Sequence, residues 1–82
     1  MFYFDRCLYF INSYSSMPSI MTSSMSGDTV RVLINSELMR PMGLTIDYNM
    51  GGRLFWSDWR KNVIESCNWD GTDRLIVVNG GE

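Results

Sequence analysis

The stretch SGDTVRVLI, Ser26 to Ile34, lies over DGTDRLIVV, Asp70 to Val78, at one offset: Gly27 over Gly71 and Ile34 over Val78 are both 44 positions apart. Ile20 lies over Ile64 at the same shift, whereas LYF at Leu8 to Phe10 lies over LFW at Leu54 to Trp56 at 46. The earlier copy therefore carries two extra residues between Phe10 and Ile20. A period in the mid-forties is one supersecondary unit repeated in tandem, and such a unit cannot bury its apolar surface alone.

The later copy reads as strands and turns throughout. GLTIDY, residues 43 to 48, alternates Leu44 and Ile46 with Thr45 and Asp47, the period of two that marks a strand. NMGG follows, and Gly51-Gly52 can adopt the positive φ of a tight reversal. RLFWSD (53 to 58) is rich in the aromatic residues a pleat packs well, and WRKN after it is a polar turn. VIESCNW (63 to 69) is a third strand, Asp70-Gly71 a hairpin signal, and RLIVV a fourth strand. A two-residue loop at Asp70-Gly71 would pair Cys67 with Arg74 and Glu65 with Ile76. Glu65 and Arg74 would then lie diagonally on one face, a charge pair worth roughly 0.2 to 1 kcal/mol.

Four short strands in an antiparallel meander, repeated at this period, are the pattern of a β-propeller blade. The expected fold is all-β, with about two four-stranded blades. Residues 1–34 form a degenerate or partial blade, 35–42 a connector, and 43–82 a well-matched blade. Residues 1–5 offer the end of the first blade's inner strand, although they do not align with the later copy. Pro41 suits a connector because it lacks an N–H and keeps Arg40 extended. Both alternating sets of the 53–58 strand, Leu54/Trp56/Asp58 and Phe55/Ser57/Trp59, contain aromatics. A sheet with one wet face would bury only one set, so the pattern favours a blade covered by neighbours on both faces.

Composition removes other classes. A chain of 82 residues buries only about 60% of its unfolded surface, so it makes at most one marginal globular unit. Net charge is −2 and no Lys/Arg-rich block occurs, which gives no footprint for nucleic acid or an anionic membrane. No stretch approaches the roughly 18 apolar residues of a membrane-spanning helix, so no direct membrane insertion is expected. MFYFDRCLYFI is interrupted by Asp5 and Arg6 and lacks a basic start, and it reads as a strand rather than a signal peptide. The absence of His excludes a Cys/His zinc site and a His-based catalyst from this segment. Cys7 and Cys67 permit one disulfide or two buried thiols. Their places on strands of separate blades need not come within the 7 Å or so that a bridge demands.

PxGLxxD at Pro41 to Asp47, LFWSD at Leu54 to Asp58, IE at Ile64-Glu65 and DGxxR at Asp70 to Arg74 resemble the YWTD, or class B, repeat of the low-density lipoprotein receptor family. The resemblance covers residues 38–82 well and 6–34 weakly. Phe55 and Ser57 replace Tyr and Thr, YFIN at Tyr9 to Asn12 has lost the Trp and Asp, and Ser26 stands at the turn Asp. It implies a part of a six-bladed extracellular propeller, usually flanked by EGF-like modules, that binds protein ligands and catalyses nothing. Relatives act in ligand uptake and endocytosis, as Wnt-type co-receptors, or in basement-membrane assembly. It also implies structural roles. Pro41, Gly43, Asp47, Phe55, Ile64, Glu65 and Arg74 belong to the motif. Trp56 packs between blades, Asp58 ties backbone donors of neighbouring strands or blades, and Asp70-Gly71 form the hairpin turn.

No cofactor or metal is expected. DGTD with Glu65 lacks the alternating ligands of a calcium loop, and Asp47, Asp58 and Glu65 are assigned to structural hydrogen bonds rather than acid-base catalysis. Trp59, beside RKN at a strand end, is the first candidate for a protein contact and Trp69 the second; each otherwise caps the space between blades. Two rival readings stand: a fragment of a metal-dependent lactonase-type propeller enzyme, and a gene-model fragment without independent function. Two blades leave edge strands and an aromatic face uncovered, so the isolated chain is expected to fold poorly or self-associate.

Overall fold

In the computed structural model, which describes residues 2–4, 7–13 and 17–80, the chain forms two four-stranded antiparallel meanders. The first contains β1 (Phe2–Phe4), β2 (Cys7–Asn12), β3 (Ser19–Ser24) and β4 (Val30–Ile34). The second contains β5 (Pro41–Asp47), β6 (Arg53–Asp58), β7 (Val63–Asn68) and β8 (Leu75–Asn79), with one 3-10 turn at Tyr48–Met50. Strand order in each sheet follows the chain, as in propeller blades. Phe2–Phe4 pair with Tyr9 to Cys7 as the first blade's inner strand; Met1 and Asp5 lie outside the described residues. Among the described residues no helix is long and apolar enough to cross a membrane.

The sequence repeat is a repeat of register. Cys7 faces Ser24 and Asn12 faces Ser19, as Arg53 faces Asn68 and Asp58 faces Val63. Strand β2 thus maps to β6 at 46 positions and β3 to β7 at 44, and the two extra residues fall in the loop between Asn12 and Ser19. Even a bulge recurs. Ile20 faces Ile34 and Met21 faces Val32, while Ile64 faces Val78 and Glu65 faces Ile76, so one residue of β4 and one of β8 stand unopposed at equivalent places.

Two expectations need correction. Strand β5 begins at Pro41, inside the expected connector: Pro41 faces Asp58 and Met42 faces Ser57 before the register shifts to Thr45 opposite Phe55. Proline is tolerated as a first strand residue. Gly43, at φ 64°, lies within the irregularity rather than opening the strand. The β7–β8 loop is not a two-residue turn. Gly71 N donates to Asn68 O and Asn68 N to Thr72 O, so the turn holds Trp69, Asp70 and Gly71, with Gly71 at φ 91°. Asp73, at φ 56°, adds a second irregularity. The two one-residue deviations cancel, and Glu65 still faces Ile76.

The core lies between the sheets. Tyr9, Ile20 and Ile34 of the first pack with Leu44, Ile46, Leu54, Trp56 and Cys67 of the second, and Leu38 of the connector closes the cluster. Each fully buried side chain of this size contributes roughly 1.5–3 kcal/mol. The Leu54/Trp56/Asp58 face of β6 is buried against the first blade, and Phe55 and Ser57 on its reverse face are half-buried. On β8, Leu75 to Val78 are all exposed to about half.

Candidate interaction surface

Asp58 closes β6, and its side chain is 1% exposed. Its Oδ2 accepts from Met39 N at 2.8 Å, and its Oδ1 accepts from Arg40 N at 3.0 Å and from Arg60 N and Lys61 N at 3.1 Å. One carboxylate therefore gathers the connector and the β6–β7 turn. Burial alone would raise its pKa. The amides of Met39, Lys61, Arg40 and Arg60 outweigh that cost and hold the carboxyl below its ordinary 3.8.

The clamp positions Trp59. Trp59 N donates to Arg40 O at 3.0 Å, and the Arg40 guanidinium lies 5.9 Å from the indole centroid. The ring is nevertheless 73% exposed. A cleft of about 180 Å³ beside it is lined by Ser57, Asn62, Val63, Ile64 and Val78. The result is an exposed aromatic on an anchored backbone at one end of the blade, with a cation behind it and an apolar cleft next to it.

A second polar node ties the connector to the sheet. Glu65, on β7 and 3% exposed, accepts from Arg74 Nε at 2.9 Å and from Lys61 Nζ at 3.3 Å. The same cations reach onward: Arg74 donates to Ser36 O and Glu37 O, and Lys61 to Glu37 O. The Arg74 guanidinium also lies 5.6 Å from the centroid of the buried Trp56 ring. Lys61 was not legible beforehand as part of this node; a basic residue four positions before a buried acid was the available signal.

The remaining motif residues serve their own strands and turns. Asp47 Oδ1 accepts from Asn49 N and caps the 3-10 turn that leads into Gly51 at φ 72°. Asp70 Oδ1 accepts from the Thr72 hydroxyl at 2.6 Å and from Thr72 N at 3.1 Å. Those two bonds hold the Asp70 carboxyl below its ordinary value. Ile64 is partly exposed beside the Trp59 cleft. Among the described residues no group of three or more His, Cys, Asp or Glu is arranged to hold a metal ion.

Trp69 lies at the opposite end of the blade from Trp59. Its carbonyl accepts from the Tyr9 hydroxyl at 3.3 Å, across the two sheets. The structure therefore does not bring the two exposed tryptophans together. Cys7 and Cys67 are both free thiols. Burial pushes the Cys67 thiol up to about 11, against the opposing pull of Arg53 and Arg74. Arg53 was also not singled out from sequence. It is 8% exposed, and it donates from Nε to Ser66 Oγ, from Nη1 to Asn68 Oδ1 and Asp73 Oδ2, and from Nη2 to Asp73 O, at 2.8–3.0 Å.

Residues 52–80 match the family model described as low-density lipoprotein receptor repeat class B. The chain is 38% identical over 76 residues to protein cueball of Drosophila sechellia, covering 89% of this chain and 12% of cueball. It is 40% identical over 68 residues to the vitellogenin receptor of Solenopsis invicta, covering 83% of this chain and 4% of the receptor. To low-density lipoprotein receptor-related protein 5 of Mus musculus it is 38% identical over 70 residues, covering 85% of this chain and 4% of that protein. The chain thus spans about an eighth or less of each relative. It superposes on a chain in the crystal structure of a nidogen/laminin complex with TM-score 0.79 and 31% identity, covering 93% of this chain and 28% of that one.

Proposed function

The chain belongs to the low-density lipoprotein receptor class B repeat family, and from that premise we propose that it is a non-catalytic, extracellular protein-binding stretch of a larger propeller. In this reading residues 1–34 and the sheet that opens at Pro41 serve as neighbouring blade segments joined by the connector between them, further blades cover the open faces, and EGF-like modules flank the ring. The bound protein is a receptor-type ligand, and endocytic uptake and Wnt-type co-reception are the roles such a surface would serve. The observation that carries the reading is Trp59. Its indole is 73% exposed although its amide is bonded to Arg40 O. Large aromatics contribute disproportionately to protein interfaces because they bury much apolar area, and a backbone already fixed loses little entropy when they are covered. Arg40 on one face of the ring adds a cation suited to an acidic partner.

Two probes follow from the relatives: laminin, from the nidogen/laminin complex, and vitellogenin, from the vitellogenin receptor. Immobilised full-length protein should bind at least one of them, and Trp59→Ala should weaken that binding about tenfold or more. Binding of neither probe, or a Trp59→Ala protein that binds as well as the parent, would remove Trp59 from the function.

A further inference from the structure

The two blades treat one recess differently. At the start of β6, on the face turned away from the first blade, the Arg53 side chain fills the space between β6, β7 and the β7–β8 turn, bonded to Ser66, Asn68 and Asp73. The repeat places Cys7 where Arg53 stands, and Thr22, Ser24 and Thr29 where Ser66, Asn68 and Asp73 stand. These four residues, with Ser23 and Arg31, line an open recess of about 200 Å³ in the first blade.

Its chemistry is inverted as well as opened. In the second blade a cation faces an anion, Arg53 to Asp73 at 3.0 Å. In the first blade both positions are neutral. Arg31, exposed at the rim, occupies the place of Leu75 and enters no ion pair among the described residues. Asp28, the nearest acid in the turn, accepts from the Ser26 hydroxyl and does not line the recess. Thr22 lines the recess, and its hydroxyl, just beneath that surface and shielded from solvent, has no hydrogen-bond partner among the described residues. A buried hydroxyl left unpaired is unfavourable, and an arriving acceptor that reaches it relieves that cost.

We propose that this recess is a binding site for a small acidic group, the carboxylate of a partner's Asp or Glu, which pairs with Arg31 at the rim and accepts from the Thr22 hydroxyl inside. The space admits the end of one side chain, and among the described residues the recess offers the Arg31 cation and hydroxyl groups, with no acid in its lining. It lies at the end of the blades opposite Trp59, so it does not depend on that contact.

Cys7 in the wall makes the site readable. Iodoacetate carries the proposed carboxylate and iodoacetamide does not. In either reaction the Cys7 sulfur forms a bond to the CH₂ carbon, iodide leaves, and the thiol proton passes to solvent. In the natively folded full-length protein, mass-spectrometric mapping gives the rate of each reaction at Cys7. The ratio of iodoacetate to iodoacetamide rates should exceed that of the neutral thiol N-acetylcysteine amide by about threefold or more, because the cation gathers the anionic reagent. Arg31→Gln, at an exposed position that leaves the fold intact by circular dichroism, should bring the ratio back to the free-thiol value without slowing iodoacetamide. Acetate should slow the iodoacetate reaction more than chloride at equal ionic strength. A wild-type ratio equal to that of the free thiol, a ratio unmoved by Arg31→Gln, no preference for acetate over chloride, or a Cys7 that neither reagent reaches would each overturn the proposal.

Discussion

The two blades share a register down to the same bulge, yet the polar groups that organise the second are replaced in the first. Asp58 has become Asn12, which donates from Nδ2 to Met21 sulfur. Arg53 has become Cys7, and Asp70 has become Ser26, whose hydroxyl accepts from Asp28 N at 3.4 Å where Asp70 accepts from Thr72 N at 3.1 Å. Strand pairing, apolar contact and short-range bonds in the β3–β4 turn hold the meander without the Asp58 and Arg53 joints; in the second blade the charged groups add the joints between blade, turn and connector. That difference also explains why the first copy matched the repeat weakly while adopting the same fold, because the pattern is written largely in joint residues.

Replacing Asp58 should separate the blades most sharply. Asp58→Ala leaves four backbone amides without their acceptor, and in the full-length protein it should cost on the order of 3 kcal/mol in chemical denaturation, against less than about 1 kcal/mol for Asn12→Ala. Equal costs would break the comparison. Its pH dependence follows from the lowered folded-state value. The unfolded carboxyl titrates near the ordinary 3.8 and the folded one below it. The contribution is therefore complete above the unfolded value and is lost as pH falls through the folded one. Asp58→Asn should remove that part of the acid slope from a pH series of denaturation curves.

Arg53→Cys gives the second blade the first blade's residue and removes the donor to Ser66 Oγ, Asn68 Oδ1 and Asp73, while Asn68 Nδ2 still donates to Thr72 Oγ1. About 2 kcal/mol of stability should go with it. A neutral result would show that the recess needs no guanidinium for folding and would leave the open recess of the first blade structurally unremarkable. The smallest effect is expected for Asp70→Ser, which reproduces the first blade's turn at a solvent-facing position. A melting temperature close to that of the parent should result, since Gly71 keeps the positive φ the turn requires.

Much of the fold was readable because it rests on short-range pattern. Alternation in Leu44 and Ile46, the Gly51-Gly52 reversal and the 44-residue offset each report a local fact, and together they define the meander. The position of Glu65 opposite Ile76 followed as well, although through a two-residue loop that does not exist. A turn one residue longer and the extra residue at Asp73 offset one another, and counting along a chain cannot see that cancellation. Pro41 was read by its missing N–H, whereas its pairing opposite Asp58 depends on a partner 17 positions away. Arg53 and Lys61 were missed for the same reason. Both are unremarkable surface-type residues until folding brings Ser66, Asp73, Glu65 and Glu37 to them. The interaction surface was half legible: Trp59 stood out as an aromatic beside basic residues, but its support by Arg40 depends on the Asp58 clamp.

The connector carries a mechanical consequence. Ser36 and Glu37 are held by Arg74 and Lys61, Met39 and Arg40 by Asp58, and Arg40 O by Trp59 N. A segment bonded along its length to the blade it enters is a seam and not a hinge. Bending within the connector would have to break several charge-assisted bonds together, so the second blade and residues 36–40 move as one piece, and any change of angle against the first blade falls before Ser36 and works against the apolar cluster the two sheets share.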